Sequence, residues 1–169
     1  MTNIKIEKTF DQALQNHKKN NFQIAENLYK DVLKIDPSHF KSIFLLGTLS
    51  ITIKNFDRAI QLLNQAILIQ PNHAQSYSNL GAVYKALGKT ENAMSYYQKA
   101  IDIKPNYADA HNNLGVAFNE LDEIKKAITC YQKAINIKPD YTDANYNLGN
   151  ALYKLNKHQE AITCYQKAI

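Results

Sequence analysis

The sequence predicts an all-α fold, a solenoid of about five helix–turn–helix repeats, and three periodicities support this prediction. First, the prolines of this 169-residue chain recur every 34 residues, at Pro37, Pro71, Pro105 and Pro139. Second, one glycine and one alanine recur at the same interval, at Gly47, Gly81, Gly115 and Gly149 and at Ala25, Ala59, Ala93, Ala127 and Ala161. Third, the segment AITCYQKAI stands unchanged at residues 127–135 and 161–169. A fixed period of this length is the sequence signature of stacked repeats.

Each repeat is predicted to contain two helices, and residues 74–107 show why. Apolar residues three or four positions apart form the stripe of a first helix, at Tyr77, Leu80, Tyr84 and Leu87. Gly88 then ends this helix, because glycine accepts the conformation just past a helix end. A second stripe follows at Ala93, Tyr97, Ala100 and Ile101. Pro105 ends the second helix, since proline cannot continue one. We expect Gly81 and Ala93 to face each other, with the two backbones close together.

This pattern resembles the tetratricopeptide repeat, in which aromatic residues, a Leu-Gly pair, alanines and a proline hold fixed positions. Residues 74–107 match it at Tyr77, Leu80, Gly81, Tyr84, Ala93, Tyr97, Ala100 and Pro105, and residues 108–141 at His111, Leu114, Gly115, Phe118, Ala127, Tyr131, Ala134 and Pro139. Residues 40–73 match more loosely, residues 6–39 lack the Leu-Gly pair, and residues 142–169 form an incomplete last repeat. The resemblance implies a single array over residues 1–169, a right-handed superhelix that binds other proteins and carries no catalytic chemistry.

The last repeat is predicted to expose an apolar edge. It stops before its proline, and its second helix carries Ile162, Tyr165, Ala168 and Ile169. Solenoids usually end in a capping element with a polar outer face. We therefore expect the chain to be a fragment of a longer protein. The alternatives are self-association through this uncapped edge and fraying of the last helix.

Composition argues against several classes of protein. The net charge is +5 and the lysines are scattered, so nucleic acid is not an expected partner. The most apolar run, residues 42–53, is too short to span a membrane, and the N-terminus has no signal-like apolar stretch. We expect a soluble, cytoplasmic protein with no membrane partner.

Cys130 and Cys164 occupy equivalent positions in neighbouring repeats, too far apart for a disulfide, and are expected to be free thiols.

No enzymatic activity, metal or cofactor is predicted. The five histidines share no metal-ligand spacing, and the chain has no glycine-rich phosphate loop. His111 stands where other repeats have an aromatic packing residue, so we interpret it as a buried structural histidine. The tyrosines mostly fall at packing positions and are expected to belong to the core.

The concave side of a superhelix of this kind is lined by the first helix of each repeat. Asn79, Asn113 and Asn147 recur there in the triplet Asn-Leu-Gly. We name these three asparagines, one in each repeat, the asparagine ladder. An amide offers hydrogen-bond donors and an acceptor, so this ladder would hold a peptide backbone independently of the peptide's side chains. It is similar to the asparagine ladder in the repeats of protein O-linked N-acetylglucosamine transferases. The neighbouring residues predicted to line the groove are Asn112, Asn150, Lys85, Asp109, Asp143 and Tyr146. The alternative is that these asparagines are solvated residues copied by duplication.

The second repeat differs, because the corresponding stripe is largely apolar: Lys41, Phe44, Leu45, Thr48 and Ile51. Either this stripe is a hydrophobic pocket for a partner's side chain, or the first repeat or the segment Met1–Lys5 covers it; we favour the second interpretation. The carboxylate clamp of chaperone-binding repeat domains is not expected, because no lysine stands at the positions of Phe44, Ser78 or Asn112.

Two functions remain open from the sequence. The first is a protein–protein interaction module that binds a peptide or protein segment in the concave groove. The second is the N-terminal substrate-recognition region of a larger enzyme, such as a glycosyltransferase, sulfotransferase or methyltransferase. The resemblance suggests the second function, and no residue of the chain shows it.

Overall fold

The computed structural model describes residues 2–168 of the chain, and the side chains of residues 4–168. This part of the chain contains ten α-helices and no strand, which confirms the predicted all-α fold of helix–turn–helix repeats. The helices are α1 (Thr2–Lys18), α2 (Phe22–Ile35), α3 (Phe40–Thr52), α4 (Phe56–Ile69), α5 (Ala74–Ala86), α6 (Thr90–Ile103), α7 (Ala108–Glu120), α8 (Ile124–Ile137), α9 (Thr142–Lys154) and α10 (His158–Lys167). Helix α1 begins four residues before the predicted start of the first repeat at Ile6. None of the helices described here is long and apolar enough to cross a bilayer.

The chain folds into two compact units. The N-terminal unit (Met1–Val83) holds α1 to α4 and most of α5, and the C-terminal unit (Tyr84–Ile169) holds the end of α5 and α6 to α10. In the N-terminal unit, α1 packs on α2, α2 on α3 and α3 on α4. In the C-terminal unit, α6 to α10 pack in sequence, and the first helices α7 and α9 also touch each other. First helices of consecutive repeats are therefore neighbours in the C-terminal unit.

The turn between the two helices of each repeat contains one residue in the left-handed conformation. These residues, again 34 positions apart, are Asn20, Lys54, Gly88, Asp122 and Asn156. Their φ angles lie between 59° and 72°. The predicted role of Gly88 is confirmed, since its φ is 72°. The other four turns adopt the same conformation without glycine, although asparagine and aspartate tolerate it better than lysine does.

Small residues and buried aromatic rings form the core of each repeat. Ala25, Ala59, Ala93 and Ala127 are fully buried, and Ala161 is 1% exposed. Tyr29, Tyr97 and Tyr131 are also buried, which confirms the predicted core role for these three tyrosines, whereas Tyr153 is 59% exposed and does not belong to the core. Burial raises the pKa of the Tyr29 phenol to about 12 and raises the pKa of Tyr97 and Tyr131 as well. These rings are structural.

The repeated glycines let an aromatic ring or a leucine approach the first helix. A Cβ atom placed on Gly115 would lie 2.6 Å from Cε1 of Tyr131 and 3.2 Å from the carbonyl oxygen of Ala127. At Gly149 the nearest atom would be Cε1 of Tyr165, at 2.5 Å. At Gly47 the nearest would be Cγ of Leu63, at 3.2 Å. At these three positions the missing side chain leaves room for the second helix, and in two of them a tyrosine ring takes most of that room.

The prediction that Leu87 belongs to the packing stripe of the first helix is wrong. The leucine is 40% exposed, because α5 ends at Ala86 and Leu87 directly precedes the left-handed residue. Ile53, Leu121 and Leu155 occupy the same place in other repeats and are exposed to a similar degree. An apolar residue at this position therefore follows the helix and leaves its buried face.

Candidate functional site

Polar side chains join the first helices of consecutive repeats in the C-terminal unit. The Asn147 amide donates from Nδ2 to Oδ1 of Asn112 over 3.0 Å. Near the other end of the same helices, the Lys154 ammonium donates to Oδ1 of Asn119 over 3.1 Å. The Lys85 ammonium of α5 and the Glu120 carboxylate of α7 form an ion pair, with Nζ and Oε1 2.9 Å apart. We name the surface beside these contacts the C-terminal first-helix face, and it comprises Lys85, Asn113, Asn119, Glu120, Asn147, Asn150 and Lys154.

The three ladder asparagines are half-buried and keep unused hydrogen-bonding capacity. In the N-terminal unit, Asn79 donates from Nδ2 to the hydroxyl of Thr48 over 3.2 Å. Asn147 likewise uses one donor, on Asn112. Asn113 has no side-chain hydrogen bond to any residue of the described chain. Since an amide has two N–H donors and an acceptor oxygen, each of the three retains at least one donor and its oxygen.

Asn112 lies beneath this face, and the prediction that it lines the groove needs correction. It is only 5% exposed, and its oxygen accepts the hydrogen bond from Asn147. The next first helix covers this position, because α7 and α9 pack together. Asn112 therefore positions Asn147, whereas Tyr146, at the equivalent place in α9, is 55% exposed.

Asn150 and Tyr146 both contact Tyr165 of the last helix. The Tyr165 hydroxyl donates to Oδ1 of Asn150 over 2.9 Å, and the rings of Tyr146 and Tyr165 lie 5.8 Å apart. Tyr165 is half-buried by these contacts, so it is not the exposed edge residue that the sequence predicted. Ala168 is half-buried too, Ile162 is 46% exposed as expected, and Ile169 lies outside the described residues.

Two aspartates stand at the start of the C-terminal first helices. Asp109 and Asp143 are exposed and lie in the first turns of α7 and α9, where the helix dipole favours a negative charge. Burial and a hydrogen bond to the Asp109 carboxylate raise the pKa of the Tyr141 phenol. These carboxylates make one end of the C-terminal first-helix face acidic, whereas Glu120 pairs with Lys85 at the other end.

The second repeat, in the N-terminal unit, carries an apolar cleft where the later repeats carry a ladder asparagine. Its walls are Phe10 and Leu14 of α1 and Phe40, Phe44 and Leu45 of α3, and its polar members are Lys41, Gln70, His73 and Gln75. We name this site the N-terminal cleft; its volume is about 500 Å³. The first repeat covers part of the stripe, as we favoured from the sequence, because Leu45 packs against the core cluster that contains Phe10. Phe44 and Leu45 nevertheless stay only half-buried. The described part of the segment Met1–Lys5 does not cover it, since Ile4 is 75% exposed and lies away from the cleft.

The histidines have structural surroundings. His111 is 6% exposed, and its Nε2 donates to the carbonyl oxygen of Pro105 over 2.9 Å, which confirms the predicted buried role. Asn145 stands at the equivalent position and donates to the carbonyl oxygen of Pro139 over 3.3 Å, a role that its 34-residue offset from His111 could have revealed. Among the residues that the structure describes, no three His, Cys, Asp or Glu side chains converge in a way that could hold a metal ion.

The two thiols differ in accessibility. Both are free in the structure; Cys130 is buried and Cys164 is half-buried. Burial raises the pKa of each thiol. Neither therefore resembles a reactive cysteine, whose pKa is lowered by its surroundings.

Family models match almost the whole chain. A model described as a tetratricopeptide repeat matches residues 7–83, one described as a TPR repeat matches residues 83–122 and 115–156, and a further tetratricopeptide repeat model matches residues 146–169. No curated protein sequence matches the chain.

Solved structures of repeat proteins are similar to this fold. A crystal structure of MamA is 30% identical, with 92% of this chain and 91% of that chain covered and a TM-score of 0.78. PilF of Pseudomonas aeruginosa has a TM-score of 0.90 at 17% identity and covers 99% of this chain and 76% of its own. YrrB, described as a TPR protein with an unusual peptide-binding site, has a TM-score of 0.70 at 20% identity, with 95% and 83% covered. The last two likenesses concern the fold alone.

Proposed function

This chain belongs to the tetratricopeptide repeat family, and we propose that it is a non-catalytic module that binds a peptide or an extended protein segment through its first helices. The observation that supports this proposal is the hydrogen-bonding state of the ladder. Asn79, Asn113 and Asn147 recur at one position of three repeats and keep free donors and acceptors after their contacts within the protein. An extended peptide backbone offers the matching groups, one N–H and one C=O for each residue.

The contacts beneath the ladder favour binding as well as stability. Thr48 and Asn112 each accept one hydrogen bond from the asparagine of the next repeat, so two of the amides are held in one orientation. A side chain that is already oriented loses less conformational entropy when a ligand arrives. The alternative, that the asparagines are solvated copies of one ancestor, predicts no loss of affinity when they are replaced.

The acidic end of the C-terminal first-helix face indicates which charge a bound peptide should carry there. Asp109 and Asp143 are exposed there, and the positive charge of Lys85 is offset by Glu120. A ligand segment that meets Asp109 and Asp143 is therefore expected to be neutral or basic. A clamp for a terminal carboxylate does not fit this surface, because a carboxylate would meet like charges.

Replacement of the three ladder asparagines tests the proposal. Short peptides are first selected from a random peptide library displayed on phage, with the wild-type chain as bait. The variant Asn79→Ala/Asn113→Ala/Asn147→Ala should raise the Kd of the selected peptides roughly tenfold or more, since each lost hydrogen bond weakens binding by about 0.5–1.5 kcal/mol. Titration calorimetry measures the Kd, and circular dichroism checks that the helix content is unchanged.

A matched control uses three asparagines of the second helices. Asn27, Asn92 and Asn136 are exposed on α2, α6 and α8, so Asn27→Ala/Asn92→Ala/Asn136→Ala removes the same chemistry from another surface. The control should keep wild-type affinity. Equal affinity of both triple variants and the wild type would eliminate the ladder as the binding element, and failure to select any peptide would argue against the module itself.

A further inference from the structure

The N-terminal cleft has rigid aromatic walls. The centroid of the His73 ring lies 4.8 Å from the centroid of the Phe40 ring and 4.7 Å from that of the Phe44 ring, both in edge-to-face contact. The Phe40 and Phe44 rings are stacked, with their centroids 6.1 Å apart. His73 is itself held by a contact of 2.9 Å between its Nδ1 and the Ser76 hydroxyl. A preformed apolar wall of this kind binds with little loss of side-chain entropy.

The cleft remains open although its walls are apolar. Phe44 and Leu45 are half-buried, whereas the neighbouring core residues Ile43 and Leu46 are 0% and 3% exposed. The volume of about 500 Å³ is large enough for more than one side chain and falls in the usual range of ligand sites. Burial of the exposed parts of the Phe44 and Leu45 side chains would remove apolar surface from water, which favours an apolar occupant.

The charge of the cleft is positive, and no acidic side chain of the described residues neutralises it. Lys41 is the only charged residue among those that line it, and its Nζ lies 5.9 Å from the centroid of the Phe10 ring. No ion pair joins Lys41 to any residue of the described part of the chain. Burial lowers the pKa of His73, which keeps that ring neutral near pH 7. Gln70 and Gln75 add amide donors and acceptors for a peptide backbone.

We propose that the N-terminal cleft binds a large apolar side chain, such as phenylalanine or leucine, of a peptide that carries an aspartate or glutamate beside it. The apolar side chain fills the space between Phe10 and Phe44, and the carboxylate pairs with Lys41. This inference rests on the proposed function and adds the class of peptide that the second repeat recognises. It also explains why Leu45 interrupts the ladder, since an amide at that position would lose its hydration to the apolar occupant.

The repeats themselves supply a matched variant. Ser78 and Asn79 stand at the positions of Phe44 and Leu45 in the next repeat, so Phe44→Ser/Leu45→Asn gives the second repeat the pair that the third already has. The selected peptides of the phage library are titrated against this variant and the wild type. We expect the selected sequences to share an apolar residue next to an acidic one, and the variant to raise their Kd about tenfold or more.

A second variant tests the charge without changing the core. Lys41 is exposed, so Lys41→Glu should leave the melting temperature unchanged and raise the Kd of the acidic peptides about threefold to tenfold at low salt, and less at high salt. The measurement on Lys41→Glu tests the proposal even if the variant Phe44→Ser/Leu45→Asn fails to fold.

The outcomes separate this inference from the proposed function. Selected peptides that lack the apolar–acidic pair, or that bind both variants as tightly as the wild type, would overturn the inference and leave the binding module standing. Absence of any selected peptide would contradict the proposed function and this inference together. Loss of affinity in both variants, with the ladder variant affecting the same peptides less, supports the cleft as their anchor.

Discussion

At the scale of single residues, glycine decides how closely the two helices of a repeat approach. At Gly115 the space of the missing Cβ is taken by the Tyr131 ring, which is 2% exposed and cannot move aside easily. At Gly47 the nearest atoms would be Cγ and Cδ2 of Leu63 and Cβ of Leu62, at 3.2 to 3.3 Å, so these neighbours need to shift by only a few tenths of an ångström. The same residue type therefore serves a stricter steric demand in the fourth repeat than in the second.

The variants Gly115→Ala and Gly47→Ala should differ in stability. Overpacking typically destabilises a core by about 1–3 kcal/mol, and the better helix propensity of alanine offsets about 1 kcal/mol of this. Gly115→Ala should therefore lower the free energy of unfolding by about 1 kcal/mol or more, and Gly47→Ala should change it by less than about 0.5 kcal/mol. Urea unfolding followed by circular dichroism measures both, and equal effects would show that the Tyr131 ring yields as readily as leucine.

At the scale of the helices, the hairpin turns share one backbone conformation but differ in how well their residues suit it. Five turns place a residue at a φ near 60° to 72°, and the residues there are glycine once, asparagine twice, aspartate once and lysine once. Lysine cannot form the local hydrogen bonds that help asparagine and aspartate in this conformation. The turn between α3 and α4 is therefore the least well matched of the five.

Exchange of residues between the turns tests this interpretation. Lys54→Gly should raise the free energy of unfolding by about 0.5–1 kcal/mol, because relief of the left-handed strain exceeds the added entropy of the unfolded chain. Gly88→Lys should lower it by a similar amount. Lys54→Ala controls for the lost charge and should not stabilise the protein. A Lys54→Gly variant no more stable than Lys54→Ala would rule out the proposed strain.

Helix positions could be predicted from the sequence because their signals are local and repeated. The spacing of Pro71, Gly81 and Ala93 predicts the two-helix repeat, and α5 and α6 lie within the predicted repeat. Leu87 was misplaced because its spacing fits the helix although the chain has already left the helical conformation. The left-handed positions of Asn20 and Asp122 are indicated only by their offset from Gly88 in multiples of 34 residues, since asparagine and aspartate are common in other conformations as well.

The candidate site was harder to predict because it depends on contacts between repeats. Asn112 and Asn113 are adjacent asparagines on one helix, yet α9 covers Asn112 and leaves Asn113 half-buried. The N-terminal cleft needed Phe10 and Phe40. Phe10 stands 34 residues before Phe44, but the third repeat has Ser78 at this position, so the aromatic residue does not recur along the array. Periodicity predicts which residues share a helix face, and neighbouring helices decide which of them a ligand can reach.

At the scale of the whole molecule, residues 2–168 contain five copies of one helical hairpin, and the first helix varies in chemistry from copy to copy. Such arrays gain stability from each repeat and from the contacts between neighbours, so the first helices are free to diverge for binding. The second repeat carries the apolar pair Phe44 and Leu45, and the later repeats carry Asn79, Asn113 and Asn147. The larger-enzyme function and self-association through the last helix stay predictions.

The most direct test of the peptide-binding function is a map of the bound surface by NMR. A selected peptide is titrated into the ¹⁵N-labelled chain of 169 residues, and the chemical shifts of the backbone amides and the asparagine side-chain amides are followed. The proposal predicts shifts concentrated on α3, α5, α7 and α9, with the side-chain amides of Asn79, Asn113 and Asn147 among the most affected. Shifts confined to the second helices α2, α4, α6, α8 and α10 would contradict it.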